Sequence, residues 1–107
     1  MNLPQVVADL VIAQNNFDSV AYANCFSETA VVVDEGKTHT GRKAIQEWID
    51  DSNKNYKSVM KPLSIVHEGK TSVLSAECSG IFPGSPIVLK FHFDITDGQI
   101  QYLKVTG

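Results

Sequence analysis

Asp34 is the residue of this sequence best placed to do chemistry, because it directly follows the apolar run Val31-Val32-Val33. A carboxylate that turns into an apolar space loses hydration. That loss raises its pKa from about 3.9 toward a range in which it can take a proton from carbon next to a carbonyl. An inward carboxylate without a role is costly, which is the argument for the functional reading. The plainer reading is that Asp34 ends a strand and supports the turn Asp34-Glu35-Gly36.

Two further residues could share such a site. His39, read as a loop residue just before a helix, could relay a proton at the pocket mouth; the bland alternative is a solvated loop histidine. Glu77, between Ala76 and Cys78, could be a second carboxylate facing Asp34 or a solvent-side residue. Strand parity leaves this open, since Val73 and Leu74 are both apolar. His67 and His92 form no spaced ligand set with another His, Cys or acid, so no metal is expected. Cys25 and Cys78 belong to no C-x-x-C motif and have no basic neighbour, so they read as free, buried small hydrophobes. Tyr22, Trp48, Phe91, Phe93 and Tyr102, with Leu10, are candidates to line an apolar ligand pocket, against the simpler reading that they are core.

The elements that must position these residues follow from the hydrophobic pattern. Leu3, Val6, Val7, Leu10 and Val11 repeat at helical spacing, with Asn2 as cap and Pro4 in the first turn, and predict a helix ending near Asn15. Asp18 caps a short second helix ending around Phe26, with Phe17 and Tyr22 placed as a hydrophobic staple. Ala30 to Asp34 predicts a buried strand. Thr40 is placed to cap a third helix with the stripe Ile45, Trp48 and Ile49, ending near Asn53 to Asn55. From Lys57 on, turn signals at Glu68-Gly69, Pro83-Gly84-Ser85-Pro86 and Asp97-Gly98 separate the strands of an antiparallel meander. Pro62 bends its strand or confines it to an edge. In the strand 87–95, His92 alternates away from Phe91 and Phe93. Three helices and a long sheet bury their apolar faces only by packing together, which makes the fold α+β. A curved sheet with helices on its concave face leaves a tapering space suited to a small molecule.

The 107 residues, 43% hydrophobic and 20% charged, are enough for one domain and too apolar for disorder. A formal charge of −3 with no basic run argues against nucleic acid. No apolar run approaches a membrane span and the start lacks a basic n-region, so a cytoplasmic protein is expected.

The order of elements, together with F-S-E-T-A-V-V-V-D-E-G, H-T-G-R-K-A-I-Q-E-W-I and F-H-F-D-I-T-D-G-Q-I, resembles the nuclear-transport-factor-2-like superfamily, especially its SnoaL-like branch. The resemblance spans residues 1–107 as one domain. It implies a cystatin-like fold: a cone-shaped, curved, mostly antiparallel sheet with three helices on its concave face. It is specific for fold and weak for activity, since the superfamily holds isomerases, polyketide cyclases, dehydratases and adaptors. In its steroid isomerases an aspartate ending the first strand is the general base, and Asp34 falls on that position. Their two oxyanion donors match Leu10 and Phe91, which cannot donate, so a true ketosteroid isomerase is not expected.

Two functions remain. One is a cofactor-independent isomerase, cyclase or dehydratase with Asp34 as base, acting on a small apolar carbonyl compound. The other is a non-catalytic ligand-binding or dimeric protein-interaction domain. By resemblance a homodimer is expected through the outer sheet face, where Val88, Lys90, His92 and Asp94 mix apolar and polar character.

Overall fold

A computed structural model describes all of residues 1–107. The chain runs α1 (Gln5–Asn15), α2 (Ser19–Asn24), β1 (Phe26–Asp34), β2 (Lys37–Thr40), α3 (Arg42–Tyr56), β3 (Val59–Glu68), β4 (Thr71–Ser79), β5 (Ile87–Thr96) and β6 (Gln99–Thr106). The six strands form one sheet in the order β2-β1-β6-β5-β4-β3. Strands β3 to β6 are the expected antiparallel meander, while β6 pairs with β1 in parallel and joins the two halves of the chain. The architecture is therefore α+β, with a mostly antiparallel sheet that does not close on itself.

Alternation along the strands separates the two faces. Val32, Leu74, Ala76, Cys78, Phe91, Phe93 and Leu103 are buried on the inner face, where they meet Val7, Leu10 and Val11 of α1, Tyr22 of α2, and Ile45 and Ile49 of α3. The outer face carries Val73, Ser75 and Glu77 of β4, Lys90, His92 and Asp94 of β5, and Tyr102 and Lys104 of β6. The ladder of β3 shifts register between Pro62 and Ser64 on the sheet's outermost strand, where a proline lacking a donor is tolerated.

Several local expectations are corrected. Helix α1 begins after Pro4 with no side-chain cap, so Asn2 lies outside it. Gly41, with φ of 90°, precedes α3 in place of Thr40, and its N–H donates to Ala30 O at 2.8 Å, tying the helix start to β1. The Asp18 carboxylate does cap α2, accepting from the Ala21 N–H at 3.0 Å. Phe17 stays exposed rather than stapling Tyr22, whose ring turns to Phe26 and Trp48 at centroid distances of 5.6 and 6.1 Å. The first strand starts at Phe26, four residues before Ala30, and His39 belongs to the short strand β2 rather than to a loop.

The end of α1 is pinned to the start of β3 by two amide side chains. Asn15 donates through Nδ2 to Met60 O at 3.0 Å and accepts the Met60 N–H on Oδ1 at 2.8 Å, imitating a ladder partner. Gln14 donates through Nε2 to Asn53 Oδ1 at 3.0 Å and to Ser58 O at 2.6 Å. The loop 80–86 then folds over the C-terminal end of α3: Ile81 N–H donates to Tyr56 O at 2.6 Å, and Phe82 meets the Tyr56 ring edge-on at 6.3 Å. Gly80 permits this approach, because a Cβ there would collide with Tyr56 O.

Candidate active site

Between the helices and the inner sheet face lies an open cavity of about 500 Å³, within the range of small-molecule sites. Apolar walls come from Met60, Leu89, Phe91, Val105, Ile49 and the loop residues Phe82 and Pro83. Its polar groups are Asp34, Glu35, Tyr22, Gln14, Tyr56, Ser52, Ser58 and Cys78, and no Lys, Arg or His lines it.

Asp34 reaches the cavity because of parity and turn geometry together. It lies two residues from buried Val32 and so shares the inner face. Opposite Lys37 in the register, it ends β1 at a two-residue turn in which Glu35 and Gly36 have φ of 51° and 72°. Positive φ at both central residues is the type I′ pattern that matches strand twist, with Gly36 taking the second position without strain. Asp34 thus closes the turn and lines the cavity at once. Burial raises its pKa above the ordinary 3.8, and the Glu35 charge raises it further. The charge on His39 and the Glu35 backbone N–H partly offset this.

Tyr22 is 2% exposed, yet it lines the cavity and its hydroxyl has no hydrogen-bond partner in the protein. No buried side-chain polar atom is both sealed from solvent and unpartnered, so this hydroxyl opens into the cavity. Burial, then the Asp34 charge, then the two thiols hold the phenol above its usual range, so it stays a neutral donor. Its ring meets Trp48 edge-on, and Trp48 in turn stacks with His39 at 5.3 Å. His39 lies opposite Val32 on the inner face but behind the Trp48 ring and outside the lining. It acts on Asp34 through charge.

The remaining candidates divide. Trp48 and Phe91 line the cavity with Tyr22. Leu10 and Phe93 are completely buried in the core below it and do not reach it. Tyr102 is opposite Asp94 and Val31 on the outer face, because the pairing of β6 with β5 shifts register between Asp94 and Ile95, so that Ile100 and Leu103, three residues apart, both face inward. Glu77 alternates with buried Ala76 and Cys78 and faces outward opposite Lys61, so it cannot face Asp34. His67 and His92 bond to Ser72 Oγ and Thr106 Oγ1 at 2.8 and 2.9 Å. Burial pushes the Cys25 and Cys78 thiols up to about 11, which makes them poor nucleophiles.

Sequence reasoning missed Glu35, Gln14 and the loop 80–86 as parts of the wall. Gln14 had a signal: Val7, Leu10, Val11 and Gln14 fall at i, i+3, i+4 and i+7, so a polar residue completes the buried stripe of α1. The loop residues had none, since their contact depends on where α3 ends.

No family model matches the chain, and no curated protein does. Among solved structures, a Sinorhizobium meliloti protein provisionally described as a polyketide cyclase is 36% identical, with a TM-score of 0.92 over 97% of this chain and 95% of that one. A Catenulispora acidiphila protein with a ketosteroid isomerase-like fold, solved with trimethylamine, is 18% identical, with a TM-score of 0.87 over 99% and 87%. The epoxide hydrolase/cyclase-like enzyme SalBIII of pyran ring formation in salinomycin is 22% identical, with a TM-score of 0.76 over 94% and 86%. The last two likenesses concern fold alone.

Proposed function

The chain belongs to the SnoaL-like branch of the nuclear-transport-factor-2-like superfamily, and from that premise we propose that its cavity carries out cofactor-independent proton transfer on a small carbonyl compound, as an isomerase, cyclase or dehydratase does. The observation that carries the reading is the pairing of Asp34 with the unpartnered Tyr22 hydroxyl in one apolar cavity.

Asp34 takes a proton from the carbon next to the carbonyl, and its raised pKa makes the ionised form a better base than a free carboxylate. The electron pair released from the C–H bond moves onto the carbonyl oxygen, where the Tyr22 O–H donates to the developing enolate. The proton then returns from Asp34 to carbon, or leaves with a departing group. Tyr22 thereby fills the role that Leu10 and Phe91 cannot, from a different helix. An electrophilic donor of this kind contributes about 2.7–4 kcal/mol to the transition state.

The lining also restricts the charge of the substrate. With two carboxylates and no cationic side chain, the cavity repels carboxylates and phosphates and accepts neutral compounds. The same walls of carboxylate and aromatic ring suit an ammonium ion, and the trimethylamine of the Catenulispora structure makes amine binding without turnover the second reading.

The test needs no natural substrate. Protons next to the carbonyl of 2-tetralone exchange for deuterium when a base forms the enolate, and proton NMR in D2O follows the loss. Exchange is expected to be faster with the wild type than with buffer, and to fall to the buffer rate in Asp34→Asn. Equal exchange by the wild type and Asp34→Asn rejects the mechanism, and saturable binding of trimethylammonium without any exchange favours the second reading.

A further inference from the structure

We infer that Gln14 is the specificity-determining residue of the cavity, and that the ligand carries a hydroxyl or N–H donor which the Gln14 side-chain oxygen accepts. The inference rests on reading the cavity as a ligand site and adds the group by which the ligand is recognised.

Gln14 is 7% exposed, at the last turn of α1. Its Nε2 donates to Asn53 Oδ1 at 3.0 Å and to Ser58 O at 2.6 Å, which uses both amide hydrogens. Ser58 O is a backbone carbonyl and can only accept, so turning the amide over would press two oxygens together. The orientation of the amide is thereby set by chemistry. Its oxygen, Oε1, is left with no donor from the protein. Because no sealed side-chain polar atom lacks a partner, Oε1 lies on accessible surface, and the surface Gln14 lines is the cavity.

The acceptor is also held in place. The neighbouring Asn15 grips both backbone groups of Met60, so the helix end that carries Gln14 cannot swing away from β3. Solvent in the open cavity can serve Oε1 while no ligand is bound. A ligand that fills the space displaces that solvent and must supply the donor itself, or leave a buried acceptor unpaired. The hydroxyls of Tyr22, Ser52 and Ser58 can donate as well as accept and so discriminate less, and the other pure acceptors, the Asp34 and Glu35 carboxylates, sit at the β1–β2 turn. Gln14 Oε1 is a neutral acceptor whose own donors are already committed.

The probes are 6-hydroxy-2-tetralone and 6-methoxy-2-tetralone, which differ by capping one donor, titrated into the protein by NMR. The wild type is expected to bind the hydroxy compound about tenfold more tightly. In Gln14→Met the preference should collapse, while Asp34→Asn should keep it. A measurement on the wild type guards against misfolding of the Gln14 variant: the Gln14 side-chain carbonyl 13C resonance should move with the hydroxy probe and not with the methoxy probe. Equal affinities, or a preference that persists in Gln14→Met, overturn the role of Gln14 and leave the pocket reading standing. If neither probe shifts the cavity resonances of Ile49, Leu89 and Val105, the pocket reading and this inference fail together.

Discussion

Tyr22→Phe separates the chemistry of the cavity from its architecture. The substitution removes one oxygen and keeps the ring, so the packing of Tyr22 against Phe26 at 5.6 Å and Trp48 at 6.1 Å survives. The hydroxyl has no partner in the protein, so its loss breaks no internal hydrogen bond and strands no buried group. Stability should change by less than about 0.5 kcal/mol, since the 1–3 kcal/mol cost of an orphaned partner does not arise. For a chain of this length that corresponds to a melting shift of at most roughly 4 °C. Catalysis is affected differently, because a donor aimed at a developing enolate is worth about 2.7–4 kcal/mol, or a fall of roughly 10²–10³ in rate. The assay is deuterium uptake by 2-tetralone at saturating ketone, run beside thermal unfolding on the same sample. A large fall in rate with an unchanged melting temperature supports the assignment. An unchanged rate refutes it and returns Tyr22 to the role of a packed aromatic. A large loss of stability would show that the hydroxyl has an internal partner after all.

Asp34→Asn should raise stability at neutral pH while it removes exchange activity. The folded carboxyl titrates above its ordinary 3.8, so ionising it costs the folded state. The native form holds more protons between the unfolded and folded pKa, and stability falls as pH rises through that window. The melting gain of the variant should therefore vanish below about pH 3.8 and be full above the folded pKa, which thermal scans across pH can check. In the wild type, the exchange rate should rise with pH along one ionisation whose midpoint lies above 3.8; a midpoint at or below it would contradict the desolvated setting of Asp34. Gly80→Ala should cost about 1–3 kcal/mol by forcing a methyl against the Tyr56 carbonyl, and should weaken binding of either tetralone by displacing Phe82 and Pro83 from the cavity wall. A second copy is proposed on the outer sheet face, where Val66 and Val88 are about half exposed. Light scattering should then give twice the 11.7 kDa of one chain, and a single-chain mass would reject the pairing.

The fold was legible where local signals agreed with the tertiary structure. The alternation Ile87 to Ile95 and the turns Glu68-Gly69 and Asp97-Gly98 place β3 to β6 without ambiguity, and the run before Asp34 marks the end of β1. What stayed hidden depended on pairings distant in sequence. The short β2 has no apolar pattern of its own and exists because the Asp34–Lys37 turn lays it against β1, which brought His39 into a strand. Tyr102 was misplaced because the register shift of β6 against β5 reverses the alternation that its sequence suggests. Glu77 needed only the parity of Ala76 and Cys78, but that parity is visible once one knows which of Val73 and Leu74 is buried. Tyr22 was singled out as an aromatic and Gln14 was not singled out at all; that each keeps one polar atom free is a property of their surroundings.

The parallel pairing of β6 with β1 also bears on the order in which the molecule assembles. Strands β3 to β5 can zip as neighbouring hairpins, but β1 and β2 join their ladder only through β6, which hydrogen-bonds to β5 on one side and β1 on the other. Such sequence-distant closure is entropically expensive and belongs to the slow part of folding. Val105, which completes the cavity wall, arrives in that same step. A compound that requires the finished cavity has nothing to hold in the earlier species. It should lengthen the lifetime of the native state against unfolding and leave the rate of refolding as it is.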